Sequence, residues 1–253
     1  MTPLQLIALA LAAACAGAVN AVGGGGTLIT FPALVAVGYP SKVANYTNTV
    51  AIWPGTVGGS FAYRAELAER RQRLLALLPA SIAGALTGAG LLIVTPLATF
   101  ELLVPLLIYF ACALLAFQGR LSKLAARGGL HGADEHSTPP ALHVGIFLIA
   151  VYGGYFGAGI GILMLALIGI LTPDTLHHSN ALKGMLALVM NFVALVAFAL
   201  FAEVAWGPAA VMAVAAILGG YAGVRIARRV NPLLLRGAIV AYGLVVATVL
   251  LVR

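Results

Sequence analysis

Apolar runs dominate this chain, at about 4–37, 43–63, 74–94, 98–118, 142–172, 178–201, 208–224 and 233–252, and charge is nearly absent from them. A helix needs about 20 such residues to cross a hydrocarbon core. The runs are apolar on every face, unlike the helices of a soluble bundle or the alternating ten-residue strands of a membrane barrel. Only 8% of the 253 residues are charged, about a third of the usual share in a soluble domain. The chain reads as an all-α polytopic membrane protein.

The charges outside the runs set an orientation, because Lys and Arg gather in short cytoplasmic loops. Arg64, Arg70, Arg71 and Arg73 follow the second run; Arg120, Lys123 and Arg127 fall in the hydrophilic segment 119–141; Arg225, Arg228, Arg229 and Arg236 flank the loop before the last run. These three loops are expected in the cytoplasm, and 95–99 and 202–207, without Lys or Arg, outside. The net charge of +7 is then a topology signal, and no nucleic-acid partner is needed to explain it. Cys15 and Cys112 are read as packing residues, and the first apolar segment as retained.

This orientation constrains the two long runs. The run 178–201 crosses once between 119–141 and 202–207, so 142–172 makes no net crossing. Thirty-one helical residues span about 46 Å, too long for one crossing and too short for two. A re-entrant or short-helix hairpin is expected, and the same reasoning applied to 4–37 puts the N-terminus outside.

Landmarks recur between the halves. Gly23-x-Gly25 matches Gly159-x-Gly161, Thr47-Asn48-Thr49-Val50 matches Ser179-Asn180-Ala181-Leu182, and Gly84-x-x-x-Gly88 matches Gly219-x-x-x-Gly223. Residues 1–118 are read as repeat one, 119–141 as a cytoplasmic linker and 142–253 as repeat two. Because one repeat begins outside and the other inside, they form an inverted-topology pair. Each comprises a hairpin and three transmembrane helices.

Polar and Gly-rich sequence at membrane depth lines a cavity or is buried in protein. Asn20 to Thr27, with Gly24, Gly25 and Gly26, and Gly153 to Gly161, with Gly157 and Gly159, are expected to break their helices. A break leaves N–H groups free at the start of the next half-helix, which favours anions. Asn45, Thr47, Asn48 and Thr49, with Ser179 and Asn180, add uncharged groups suited to an oxyanion. Lys183 lies inside a predicted helix, where a lysine suggests a function, with snorkelling to the interface as the bland alternative. Asn191, two turns further on, has no such escape. His177-His178 reads as interfacial, His131, His136 and His143 lack metal-site spacing, and Glu101 and Glu203 read as solvated. No Walker A motif, nucleophile–base pair, metal site or cofactor motif is present, so no enzyme is expected.

Taken together, Gly23 to Leu28 followed by Pro32 and Gly38-Tyr39-Pro40, then Ala44 to Val50, Gly157 to Gly161, Asn180 to Lys183, Asn191 and Gly219-Gly220-x-x-Gly223 resemble the TauE/SafE family, also called the toluene sulfonate uptake permeases. The resemblance covers nearly the whole chain. It implies a bacterial inner-membrane carrier of small sulfur-containing anions such as sulfite, thiosulfate or organosulfonates, and it does not name the substrate. With no carboxylate evident in the helices as a proton carrier, export or exchange is favoured over coupled uptake. A passive anion channel of the same architecture is the alternative, and a homodimer is left open.

Overall fold

The computed structural model describes residues 1–22, 25–61, 64–128, 138–227 and 232–252. Among them there are eleven helices and no strand: α1 (Pro3–Val22), α2 (Thr27–Ala36), α3 (Ser41–Phe61), α4 (Arg64–Glu69), α5 (Arg71–Val94), α6 (Leu97–Gly128), α7 (Pro140–Tyr155), α8 (Ile160–Leu171), α9 (Leu176–Phe201), α10 (Trp206–Ala227) and α11 (Pro232–Val252). Pro3, Pro140 and Pro232 open their helices, at the position where the missing N–H costs nothing. Thr175 caps α9 by accepting from the His178 N–H. Helix α5 stops at Val94, and Thr95 turns extended before Pro96, as the residue preceding a proline tends to do. Pro32, Pro54, Pro79 and Pro105 stand inside helices, a placement that membrane helices accommodate through neighbouring groups.

Five helices, α1, α5, α6, α9 and α11, are long and apolar enough to cross a membrane. Large apolar side chains point outward from them: Leu4, Ile7 and Leu11 on α1, and Leu102, Leu106, Phe110 and Phe117 on α6. In water such a stripe would be a liability; in lipid it is the solvent-facing surface. The protein is a multi-pass membrane protein.

Both long apolar runs fold back on themselves. A Cβ at Gly145 would meet the Leu167 side chain at 2.6 Å, and one at Gly153 would meet Ile160 at 3.3 Å. Helices α7 and α8 are therefore antiparallel. In the first run, the Tyr39 hydroxyl donates to Met1 Sδ at 3.0 Å, so its two ends lie together. The two hairpins differ in one respect: α1 is a full-length helix of 20 residues beside the 10-residue α2, whereas α7 and α8 have 16 and 12. Two further details differ from the sequence reading. Helix α6 runs past residue 118 to Gly128, into the segment read as linker, and the short α4 stands in the arginine-rich loop.

Small residues set the packing. Helix α5 lies against α7, where Cβ atoms at Gly84 and Gly88 would fall 2.4 Å from Phe147 O and 2.0 Å from Val151 O. Helix α10 lies against α1 in the same manner, Gly219 meeting Ala14 O at 2.0 Å and Gly17 meeting Ala216 O at 2.1 Å. The partnerships are reciprocal: α10 also packs on α3 as α5 packs on α9, α1 on α2 as α7 on α8, and α2 on α3 as α8 on α9. Helix α3 meets α9, and α6 meets α11.

Candidate functional site

The glycines interrupt the hairpins at their tips. Gly25 has φ +105°, and Gly157 and Gly159 each have φ +81°, a region that residues with a Cβ seldom enter. At the first tip, Asn20 Oδ1 accepts from the Gly26 N–H at 2.8 Å, so the side chain at the end of α1 takes up a donor at the start of α2. A Cβ on Gly26 would stand 2.6 Å from Ala16 O, which leaves room for glycine alone. Thr27 begins α2, half-buried. Gly23 and Gly24 lie outside the described residues. At the second tip, Gly159 caps α8, and the Tyr152 hydroxyl donates to Ala158 O at 2.7 Å. Both tips rest against α6, Gly25 beside Leu115 and Gly159 beside Leu114. The rings of Phe31 on α2 and Phe156 at the second tip meet edge to face at 5.5 Å. Helices α2 and α8 thus open from neighbouring breaks; the N–H groups of Leu28, Ile29, Thr30, Ile162 and Leu163 turn back to the carbonyls of Gly25, Gly26 and Gly159, while those of Thr27, Ile160 and Gly161 have no acceptor inside their own helices.

Helix α3 supplies a polar face beside these breaks. Asn45 Nδ2 donates to Tyr155 O at 2.9 Å, tying α3 to the last residue of α7. One turn on, Asn48 Oδ1 accepts from the Thr30 hydroxyl of α2, which has Gly26 O as a second acceptor within reach. Asn45 and Asn48 are both buried. They link α3 to one tip each.

Lys183 approaches the second tip from α9. Its stem crosses Gly161, with Cδ 3.6 Å from where a Cβ would stand. Its ammonium donates to Asn180 Oδ1 at 2.9 Å, and no carboxylate among the described residues pairs with it. It lies seven positions past Leu176, the start of α9, about 10 Å along the helix. The contact with Gly161 sets the stem against the start of α8.

Other expected residues make their contacts away from the two tips. Thr47 Oγ1 accepts from the Ala205 N–H at 3.0 Å and so anchors the loop 202–205. Thr49 and Asn191 donate to carbonyls of their own helices, Asn45 O and Ala187 O. Ser179 is buried in the first turn of α9.

A family model described as sulfite exporter TauE/SafE matches residues 9–250. The chain belongs to the TauE/SafE family. Curated relatives agree in kind. A probable membrane transporter protein of Haemophilus influenzae is 27% identical over 233 residues, covering 88% of this chain and 85% of its own. One from Sinorhizobium, ORF9, is 29% identical, with 87% and 82% covered. YfcA of Escherichia coli K12, also called a probable membrane transporter protein, is 26% identical over 253 residues, with 99% and 91% covered. No solved structure matches. This TauE/SafE chain is a membrane transporter, and the family is not one of enzymes.

Three features of the TauE/SafE chain escaped the sequence reading. Asp174, in the loop before α9, has a fully buried side chain that pairs with Arg70 Nε at 2.6 Å and with Arg73 Nη1, while Thr172 Oγ1 donates to it at 3.2 Å. Arg73, read only as a topology signal, is itself buried. Beside this pair, His178 is held between Thr175 Oγ1 at 2.8 Å and Glu69 Oε2 at 2.7 Å. At the other end of α5, Lys42 donates to Ile93 O at 3.0 Å and Thr95 O at 2.7 Å. Helix α5 thus has an anion at its N-terminus and a cation at its C-terminus, the arrangement its dipole favours. The arginine cluster hinted at a partner, but only the fold brings Asp174 to it.

Proposed function

We propose that this TauE/SafE chain is a secondary transporter that moves a small sulfur-containing anion, such as sulfite, thiosulfate or an organosulfonate, across the bacterial inner membrane by alternating access. The observation that carries the proposal is the Lys183 ammonium without a carboxylate, lying across Gly161 at the N-terminus of α8. A buried cation lacking a counter-ion is costly, and a transported anion supplies one. The N–H groups of Thr27, Ile160 and Gly161 at the two helix breaks, with Asn48 and Asn180, complete the oxyanion surface.

Alternation has a basis in the packing. Two inverted repeats, 1–118 and 142–253, related through the reciprocal pairs α1 with α10 and α7 with α5, could rock against each other about the breaks. Met1 and Tyr39 meet at one end, and Arg73 and Asp174 mark the end from which the second hairpin enters. With the arginines of 64–73 in the cytoplasm, the N-terminus faces outside. The inside-negative potential favours export of an anion by about 2.3 kcal/mol per charge per 100 mV.

The test is transport by the purified chain in proteoliposomes, with labelled sulfite, thiosulfate, ethanesulfonate and acetate. Saturable flux of sulfur anions, with counterflow and loss in Lys183→Ala, is expected. Ohmic single-channel currents would replace the carrier by a pore, and undiminished flux in Lys183→Ala would move the site away from α9.

A further inference from the structure

Asn45 is 1% exposed, and its Oδ1 is buried with no hydrogen-bond partner. The amide cannot turn over to remedy this, because its Nδ2 is engaged by Tyr155 O at 2.9 Å, and reversal would set two acceptors face to face. Buried polar atoms are rarely left in this state, and one that is calls for an explanation. The surrounding groups are satisfied: Thr49 donates to Asn45 O, Tyr152 to Ala158 O, and Thr30 to Asn48 Oδ1, with Gly26 O as its second acceptor within reach. Tyr155 is the residue before the break that opens α8, so Asn45 is held at the same break whose N–H groups are assigned to the anion. A surface of donors would suit any oxyanion. An acceptor among them suits only a ligand with a donor of its own.

We propose that Asn45 is a specificity-determining residue and that the transported species is a monoanion bearing an O–H or N–H group, which donates to Asn45 Oδ1. The proposal rests on the function inferred above and narrows its substrate class. Among the described residues Lys183 has no carboxylate partner, and one such cation beside the second break matches one negative charge. Hydrogensulfite and hydroxy-substituted sulfonates have the required form; the sulfite dianion, thiosulfate and plain alkylsulfonates do not. When the donor is the ionisable proton of the anion, that proton crosses the membrane with it, and the protein needs no proton-carrying carboxylate of its own.

The test compares two competitors of labelled sulfite flux in proteoliposomes of the full chain, 2-hydroxyethanesulfonate and ethanesulfonate, which differ by one hydroxyl. The hydroxylated compound is expected to compete at least about tenfold better, since a site built to pair with a substrate hydroxyl discriminates strongly against its absence. In Asn45→Leu, similar in volume but without the acceptor, the two should fall within about twofold of each other. For sulfite, flux should follow the hydrogensulfite fraction as pH is varied. These wild-type measurements stand even if the variant does not fold. Equal competition in the wild type, or a preference that survives Asn45→Leu, would overturn the proposal. Sodium-dependent flux with equal competition would do so too, by making Oδ1 a cation ligand. If no sulfur anion moves or competes at all, it is the proposed function that fails, and this inference falls with it.

Discussion

Lys183 and Asn48 take part in the candidate site by different physics, and their substitutions should separate. Lys183→Met retains most of the stem packed on Gly161 and removes the charge. Transport should fall by at least about tenfold, the effect of losing roughly 1.4 kcal/mol or more of ion attraction, with the unfolding midpoint in detergent unchanged or raised. Lys183→Arg should recover part of the flux. Asn48→Ala instead removes the side-chain acceptor of the buried Thr30 hydroxyl, which can still turn to Gly26 O, so the loss should cost about 0.5–1.5 kcal/mol of stability, the net worth of one hydrogen bond, and lower the midpoint. At this scale the sequence showed which residues were polar but not where they turned. Asn45, Asn48, Asn180 and Lys183 were legible because a polar group at membrane depth stands out. Thr47, Thr49 and Asn191 stood out equally, and their side chains bond a loop and their own helices. Asp174 was invisible, since its partner Arg73 lies 101 residues earlier.

Helices were legible where length and apolarity decide, so each of the eight apolar runs contains helix, and the folding back of both long runs followed from a count of crossings. The short α4, with two glutamates among its six residues, carried no such signal. The packing of the elements rests on glycines whose surroundings the sequence could not supply. Gly88 and Gly90 are both in α5, yet a Cβ at Gly88 would stand 2.0 Å from Val151 O, whereas one at Gly90 meets nothing within 4 Å. Gly88→Ala should therefore destabilise the protein by about 1–3 kcal/mol through overpacking and separate α5 from α7. Gly90→Ala should be neutral or stabilising, by up to about 1 kcal/mol from helix propensity. Thermal unfolding of the two variants in one detergent distinguishes them; equal destabilisation would mean that α5 does not pack on α7 through this face.

Across the whole molecule, the buried Asp174 pair fastens α5 to the loop before α9. Removing one partner of a buried ion pair costs about 3–5 kcal/mol, so Asp174→Asn should lower the unfolding midpoint markedly even in a chain with intact Lys183 and Asn48. A midpoint within error of the wild type would mean that the pair is open in the membrane. Tag accessibility checks the orientation: labels near residue 70 should be shielded in right-side-out vesicles and labels near 203 exposed, and the reverse would invert the molecule. The net charge could forecast orientation but not this fastening, because a charge in a loop looks the same whether it faces water or a carboxylate. The exchange of α5 and α10 bears on how the chain is made. Helix α5 finds its partners in α7 and α9, and α1 finds its own in α10, so neither half can bury its small-residue faces while the ribosome is still producing the other. The early helices must wait in the bilayer as loosely associated spans, and the native structure closes only when α10 has left the translocon. Two fragments divided between residues 128 and 138 and synthesised together should consequently reassemble into active protein, while either fragment alone remains a substrate for membrane proteases.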